Sequence, residues 1–213
     1  MKKNENEFER AILNLFGDSF VGKTCLKNSL MKMDFKSDYI PTQTPTSETK
    51  GINVTLNDGK KIPLTLWDMS GQEEYSSLIS LFGKNSHGII LVFDLTNRKS
   101  FEDINIWLNL VNEKLGNKNL VLFGNKCDIG KEQWQVTRKE VDEYAKKNNL
   151  KYFETSAKTN QGIYEGISYI VNEAYATFKE NTKNNMPHKI SKDIVIVDDP
   201  CLGKKKIVNG VKK

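Results

Sequence analysis

One eight-residue stretch, GDSFVGKT from Gly17 to Thr24, limits what this chain can fold into more than any other part of the sequence. It fits the pattern G-x-x-x-x-G-K-[ST] and lies between an apolar run that ends at Phe16 and a segment of helical composition that begins at Lys23. Backbone N–H groups of such a loop, and the positive end of the following helix, face phosphate oxygens. The lysine adds a positive charge, and the threonine hydroxyl can ligate Mg²⁺. The stretch therefore predicts a phosphate-binding strand, loop and helix; the alternative is an ordinary glycine turn.

Apolar runs alternate with helical segments along the rest of the chain. The run GIILVFDL, at 88–95, is almost continuously apolar, as a strand covered on both faces must be. Asn57, Asp58 and Gly59 lie between two alternating runs and predict a hairpin. Thr137 with Glu140 predicts a capping box at the start of a helix. These patterns indicate an α/β fold with a mostly parallel sheet and helices on both faces. The predicted strands are 8–16, 51–56, 61–67, 88–95, 119–123 and 151–154, and the predicted helices are 23–33, 99–115, 137–148 and 161–179.

Length and composition indicate one globular domain followed by a tail. The chain has 213 residues, of which 38% are hydrophobic and 28% charged. We expect a domain at residues 1–180 and a basic, flexible tail at 181–213, because the run NTKNNMPHK breaks the last helical pattern. The net charge of +5 lies wholly in that tail. A neutral body argues against nucleic-acid binding, whereas the tail can meet an acidic partner or an anionic membrane, or simply be solvated.

The cysteines and the start of the chain indicate the compartment. Cys25, Cys127 and Cys201 have no metal-ligand spacing and cannot form a disulfide framework. The apolar run near the start is shorter than a signal or membrane segment needs. We therefore expect a cytoplasmic protein.

Two short motifs after predicted strands are candidates for base recognition. In NKCD, the carboxylate of Asp128 can accept two hydrogen bonds from the ring N–H and the amine of guanine, a pair that adenine does not offer. The alternative is a strand-ending turn in which Asn125 and Asp128 bond to nearby backbone. TSAK, from Thr155 to Lys158, is weaker in isolation, and its order and position give it weight.

The motifs GDSFVGKT, WDMSGQE, NKCD and TSAK, in this order and spacing, resemble those of the Ras-like small GTPases, and SHGIILVFDLTNRKSFEDI most resembles the Rab branch. The resemblance covers about residues 8 to 180. It implies a P-loop NTPase of the small GTPase G-domain type, with a six-stranded, mostly parallel sheet and five helices. It also implies a molecular switch in vesicle or membrane traffic that binds GTP or GDP with Mg²⁺ and slowly hydrolyses GTP.

Matched position by position, the resemblance also implies the site residues. Mg²⁺ would be held by Thr24, Thr42 and Asp68, and Gln72 would orient the attacking water. The chain departs from the family in two places: Phe20 stands where a smaller residue is usual, and Met69-Ser70 where Thr-Ala is usual. We expect the Phe20 side chain to point outward. The implied nucleotide contacts are Asp18, Ser19, Phe20, Val21, Gly22, Lys23, Thr24, Cys25, Phe35, Tyr39, Thr42, Gly71, Asn125, Lys126, Asp128, Ser156, Ala157 and Lys158.

The choice of Thr42 among three nearby threonines depends on spacing. The family places its metal-binding threonine eighteen residues after the phosphate-loop threonine, which is Thr42 here, and the run Tyr39 to Thr42 fits the family's pattern. Counting back twenty-three residues from Asp68 instead reaches Pro45, which has no hydroxyl. We therefore expect an insertion of three residues after Thr42, which assigns Thr44 and Thr46 to an altered partner surface.

Two other functions use the same motifs. One is a GTP-binding adaptor in which Gln72 is idle and hydrolysis is slight or absent. The other is a P-loop kinase, which NKCD and TSAK argue against.

The resemblance implies partners in general: an exchange factor, an activating protein and effectors. Rab proteins usually end in prenylated cysteines, but Cys201 is too far from the last residue to be a C-a-a-X cysteine. We expect an unmodified tail that makes at most weak contact with the cytosolic face of a membrane through 204–206, to which acylation of Cys201 would add a second attachment.

Overall fold

The computed structural model describes residues 8–31, 46–48, 52–69, 76–116, 118–184, 194–198 and 205–209. The chain divides into two compact units, Met1–Phe178 and Lys179–Lys213, which are described separately. This division lies close to the predicted boundary at residue 180, which remains a prediction.

The first unit alternates strands and helices, as the sequence predicts. Helix α6 begins in this unit. The strands are β1 (Ala11–Phe16), β2 (Thr46–Glu48), β3 (Asn53–Thr55), β4 (Lys61–Asp68), β5 (Gly88–Asp94), β6 (Asn119–Asn125) and β7 (Lys151–Glu154), and the helices are α1 (Lys23–Leu30), α2 (Ser76–Gly83), α3 (Arg98–Glu102), α4 (Ile104–Leu115), α5 (Arg138–Lys147) and α6 (Ile163–Asn184), with a short 3₁₀ helix at Lys131–Gln133.

The strands form a sheet in the order β2-β4-β1-β5-β6-β7, and β3 also pairs with β4. Neighbours from β4 to β7 are parallel, whereas β2 and β3 run antiparallel to β4. β2 pairs with β4 from Leu66 to Asp68, and β3 pairs with it from Lys61 to Pro63. β2 and β3 are therefore successive pieces of one interrupted strand. Counted so, the described residues confirm the expected six-stranded, mostly parallel sheet.

The core lies on both faces of the sheet because the central strands are apolar on both. All seven residues of β5 are buried. Ile90 and Val92 belong to a cluster with residues of α1 and α6, while Ile89, Leu91 and Phe93 belong to a second cluster with residues of α4 and α5. This burial on both faces explains the continuous apolar run and confirms its interpretation.

Local patterns set several element ends. The predicted hairpin turn is present, with Leu56 N–H donating to Lys60 O at 2.8 Å and Gly59 at a φ of +85°. Thr137 and Glu140 form the predicted capping box at the start of α5. The helix predicted at 99–115 is interrupted at Asp103, which ends α3 and begins α4. With α3 and α4 counted as one interrupted helix, the described residues contain the expected five helices.

In the second unit, β8 (Ile194–Asp198) and β9 (Lys205–Asn209) form a two-stranded antiparallel sheet. The sequence predicts no strand there, although Ile and Val favour strands. The remaining tail residues, at 185–193, 199–204 and 210–213, lie outside the described part of the chain, and Cys201 is among them. None of the described helices has the length and apolar character needed to cross a membrane.

Candidate nucleotide-binding site

Four loops carry the predicted site, and each follows a strand in the parallel part of the sheet, where β4 neighbours β1 and β6 neighbours β7. The phosphate loop follows β1, Asp68 ends β4, and the NKCD motif begins at the end of β6. TSAK follows β7. Because carboxyl ends of parallel strands share one edge of a sheet, these segments meet there, where ligands of open α/β sheets bind.

Two glycines allow the phosphate loop to lie close to the sheet. Gly17 has a φ of +142°, and a Cβ there would lie 2.0 Å from the carbonyl oxygen of Val92. Gly22 has a φ of +97°, and its Cβ would lie 2.4 Å from Nδ2 of Asn125. Side chains at either position would clash and would require a rare backbone conformation. The glycines of the motif are thus explained by close approach to β5 and β6.

Lys23 lies inside the loop that precedes it. Its Nζ donates to the carbonyl oxygens of Gly17 at 2.7 Å and Asp18 at 2.6 Å, and the residue is 5% exposed. Burial lowers the pKa of Lys23 to about 8, although the charges of Asp68 and Asp18 oppose the shift. An anion in this loop would favour the charged ammonium, so the site suits phosphate.

Thr24 and Asp68 bring a hydroxyl and a carboxylate together beside the loop. The Thr24 hydroxyl donates to Oδ2 of the buried Asp68 at 2.6 Å, and Nζ of Lys27 lies 3.8 Å from the same oxygen. A hydroxyl and a carboxylate are the hard oxygen donors that Mg²⁺ binds beside phosphate. The donor set therefore fits a magnesium ion.

Asn125 joins three of the loops. Its Nδ2 donates to Val21 O at 2.8 Å, and its Oδ1 accepts from Ala157 N–H at 3.3 Å and from the Thr155 hydroxyl at 3.4 Å. A local strand-ending turn would give Asn125 nearby backbone partners, whereas these lie 104, 32 and 30 residues away. Asn125 therefore ties the phosphate loop to both predicted base-recognition loops.

Asp128 is held by the TSAK loop. The Ser156 hydroxyl donates to Oδ1 of Asp128 at 2.6 Å and accepts from the backbone N–H of Lys158 at 3.2 Å. Lys126 has a φ of +66°, and its Nζ lies 2.5 Å from Oδ2 of Asp94. The bond from Ser156 holds the carboxylate that the sequence assigns to guanine.

Four further positions of the phosphate loop and α1 differ in exposure. Phe20 is 60% exposed at a φ of +68°, which confirms that its ring points outward. Val21 is buried, and its carbonyl accepts from Asn125. Cys25 is partly buried, and burial raises the pKa of its thiol. Ser19 is also partly buried.

The structure adds a site residue that sequence reasoning missed. The indole Nε1 of Trp107, in α4, donates to Oδ1 of Asp18 at 2.7 Å. Burial, the largest cause, raises the pKa of Asp18 to about 6, although the bond from Trp107 opposes the shift. The only sequence hint was general: a buried tryptophan usually finds an acceptor for its N–H.

Several predicted residues cannot be placed. Phe35, Tyr39, Thr42, Gly71 and Gln72 lie outside the described residues, as does the insertion expected after Thr42. Thr46 begins β2 and pairs with Asp68, and Met69 is buried in the core cluster that contains Phe93.

Fold and loops together define a P-loop nucleotide-binding protein. A family model for the Ras family matches residues 12–176. Ras-related protein Rab-13 of Rattus norvegicus is 32% identical over 187 residues, covering 87% of this chain and 90% of the relative. Rab-13 of Bos taurus is 35% identical over 162 residues, covering 76% and 78%. Ras-related protein Rab-8A of Bos taurus is 31% identical over 188 residues, covering 88% and 89%.

The chain belongs to the Ras family. It is a Rab-like small GTPase, an enzyme that hydrolyses GTP and acts as a switch in membrane traffic. Members of this family bind GDP and GTP, typically with Mg²⁺, and work with exchange factors, activating proteins and effectors. Family membership does not favour the alternative of an adaptor without hydrolysis.

Proposed function

We propose that the phosphate loop, Thr24 and Asp68 hold the phosphates of GTP and one Mg²⁺ ion, and that Gln72 orients the water that attacks the γ-phosphate. The observation that carries the proposal is the 2.6 Å bond between the Thr24 hydroxyl and Asp68, beside the buried Lys23. When bound, Mg²⁺ would neutralise charge on the phosphate oxygens.

The residues around the phosphates act by position and charge. The ammonium of Lys23 lies across the loop and supplies a positive charge without needing to move far. The N-terminal end of α1 begins at Lys23 and adds the partial charge of its free N–H groups. Gly71 and Thr42 would order around the γ-phosphate and relax once it leaves, which is the switch.

Selection of the guanine base would depend on the NKCD and TSAK loops. The carboxylate of Asp128 would accept from the guanine N–H groups, with Ser156 holding its orientation. Asn125 and Lys126 would support this contact, with Ala157 and Lys158 on the TSAK loop. The other proposed contacts to the nucleotide come from Ser19, Phe20, Cys25, Phe35 and Tyr39.

Hydrolysis would proceed without a covalent intermediate. Water would attack the γ-phosphorus as the bond to the β-phosphate oxygen breaks, so that GDP is the leaving group and the proton lost by the water passes to the inorganic phosphate formed or to solvent. In Ras, an arginine supplied by an activating protein raises the rate of hydrolysis about 10⁵-fold. In this chain the exposed Phe20 would lie near the path of such an arginine.

The partner surface and location are also part of the proposal. We place Thr44 and Thr46 on a surface that effectors contact. We also place the protein on the cytosolic face of a membrane, with the basic tail adding weak attraction to anionic lipid.

A single-turnover assay of GTP loss tests the catalytic assignment. The wild type is compared with Gln72→Leu and with Gln133→Leu, which changes an exposed glutamine in the 3₁₀ helix. We expect Gln72→Leu to slow hydrolysis at least about tenfold, within the range of a lost positioning group, and to bind GTP as the wild type does. Gln133→Leu should behave as the wild type. Equal rates in all three proteins would overturn the role of Gln72.

A further inference from the structure

A buried lysine that follows the phosphate-loop motif lies beside the proposed magnesium site. Nζ of Lys27 lies 3.8 Å from Oδ2 of Asp68, and the Thr24 hydroxyl donates to that same oxygen at 2.6 Å. Thr24 and Lys27 are three residues apart in α1, so their side chains lie on one face of the helix, towards the end of β4. One carboxylate oxygen is thus shared between a proposed metal ligand and a lysine ammonium.

Burial distinguishes this ion pair from those at the surface. Lys27 is 6% exposed and Asp68 is 0% exposed. Lysine and aspartate are almost never buried to this degree unless they are paired, because removing a charge from water is unfavourable. The pair of Lys139 and Glu143 has a similar length, 3.9 Å, but it is exposed. Solvent and salt screen the exposed pair, whereas they screen the buried pair much less. The charge of Lys27 therefore acts strongly on Asp68.

This charge has opposite effects on the site with and without a metal. Without a metal, the ammonium of Lys27 offsets the negative charge of Asp68, which would otherwise repel phosphates bound in the adjacent loop. With a metal, the same ammonium competes for Oδ2 of Asp68 and repels the cation. Both effects reduce the advantage that a divalent cation gives to nucleotide binding.

We propose that Lys27 weakens the coupling between Mg²⁺ and the nucleotide: it strengthens GDP binding in the absence of Mg²⁺ and lowers the affinity of the GDP complex for Mg²⁺. The inference rests on the proposed function, because it needs phosphates in the loop and Mg²⁺ at Thr24 and Asp68. Coupling is reciprocal, so the factor by which Mg²⁺ tightens GDP binding is also the factor by which GDP tightens Mg²⁺ binding. One ratio of dissociation constants therefore measures the proposed effect.

The test measures the dissociation constant of GDP in excess Mg²⁺ and in EDTA for wild type, Lys27→Met and Lys139→Met. Methionine keeps an unbranched apolar side chain and removes the charge. Lys139→Met removes the same charge from the exposed ion pair and is the matched control. We expect the ratio of the constants, EDTA over Mg²⁺, to be at least about tenfold larger in Lys27→Met, because two unit charges about 4 Å apart in a partly buried site interact by more than that factor. Lys139→Met should have the ratio of the wild type.

Two further variants separate the charge of Lys27 from its packing. Lys27→Gln removes the charge but keeps a polar group, and its ratio should rise as in Lys27→Met. Lys27→Arg keeps the charge, and its ratio should stay near that of the wild type. A purely structural role of Lys27 would change both dissociation constants by the same factor and leave their ratio unchanged.

The outcomes separate the two levels of inference. A ratio in Lys27→Met that equals that of the wild type, or is smaller, would overturn the role of Lys27. A rise of the same size in Lys139→Met would also overturn it, because the effect would then belong to net charge. Failure of the wild type to bind GDP in either condition would instead refute the proposed function. If Lys27→Met does not fold, Lys27→Gln decides the question.

Discussion

Replacement of Asn125 by alanine should destabilise the protein by about 3 kcal/mol. The Asn125 side chain is buried. It donates a hydrogen bond to Val21 O at 2.8 Å and accepts from Ala157 N–H at 3.3 Å and from the Thr155 hydroxyl at 3.4 Å. Alanine leaves these buried groups without that partner, and a buried polar group without a partner costs about 1–3 kcal/mol. The two longer bonds belong at the low end of that range, and a loss of about 1 kcal/mol for each of the three groups gives a total of about 3 kcal/mol.

Unfolding in guanidinium chloride, monitored by tryptophan fluorescence without nucleotide, measures this loss. Asn112→Ala changes an exposed asparagine of α4 and should stay within about 0.5 kcal/mol of the wild type. Asn125→Asp keeps the acceptor for Ala157 but turns an oxygen towards Val21 O, so it should also destabilise. A loss below about 1 kcal/mol for Asn125→Ala would refute the idea that this residue ties the loops together.

Three further predictions concern stability. Burial lowers the pKa of His87, and the neutral Nδ1 of its ring accepts a hydrogen bond from Ile12 N–H at 2.9 Å. The contribution of neutral His87 to the free energy of unfolding should therefore be complete above about pH 6.5 and be lost as the pH falls further. Chemical denaturation between pH 7.5 and 5 should show that the unfolding free energy of the wild type falls more than that of His87→Gln. Plots of unfolding free energy against pH that run parallel for the two proteins would contradict this prediction. Because Phe20 has a φ of +68°, Phe20→Gly should be more stable than Phe20→Ala in chemical denaturation by about 1 kcal/mol, and equal stability would exclude strain there. Thr137→Ala should lower the unfolding free energy by about 1 kcal/mol by removing the capping box with Glu140, and an unchanged denaturation midpoint would contradict that role.

Local patterns predicted most of the fold. The buried strand at 88–95 and the capping box at Thr137 depend on residues close in sequence, and both are confirmed. Helix α2 did not emerge from the residues alone, because eight residues with four apolar side chains do not distinguish a short helix from a strand. The interruption at Asp103 and the break between β2 and β3 also depend on tertiary context.

In the candidate site, too, some contacts could be predicted from the sequence and others could not. The family resemblance implied that Thr24 and Asp68 lie together, and the bond between them agrees with it. The contact between Trp107 and Asp18 joins residues 89 positions apart and has no periodic pattern to indicate it. Thr42 and Gln72 remain sequence-based predictions, because both lie outside the described residues.

The nucleotide preference of Asp128→Asn tests the central claim most directly. Guanine offers two donors to a carboxylate, whereas xanthine replaces one of them with a carbonyl oxygen that an asparagine amide can bond. We measure affinities for GDP and xanthosine diphosphate with Mg²⁺ at pH 7.5, using Asp142→Asn of α5, where the aspartate is exposed, as the matched control. The account predicts that wild type and Asp142→Asn prefer GDP and that Asp128→Asn shifts towards xanthosine diphosphate. An unchanged preference for GDP in a folded Asp128→Asn protein would contradict it.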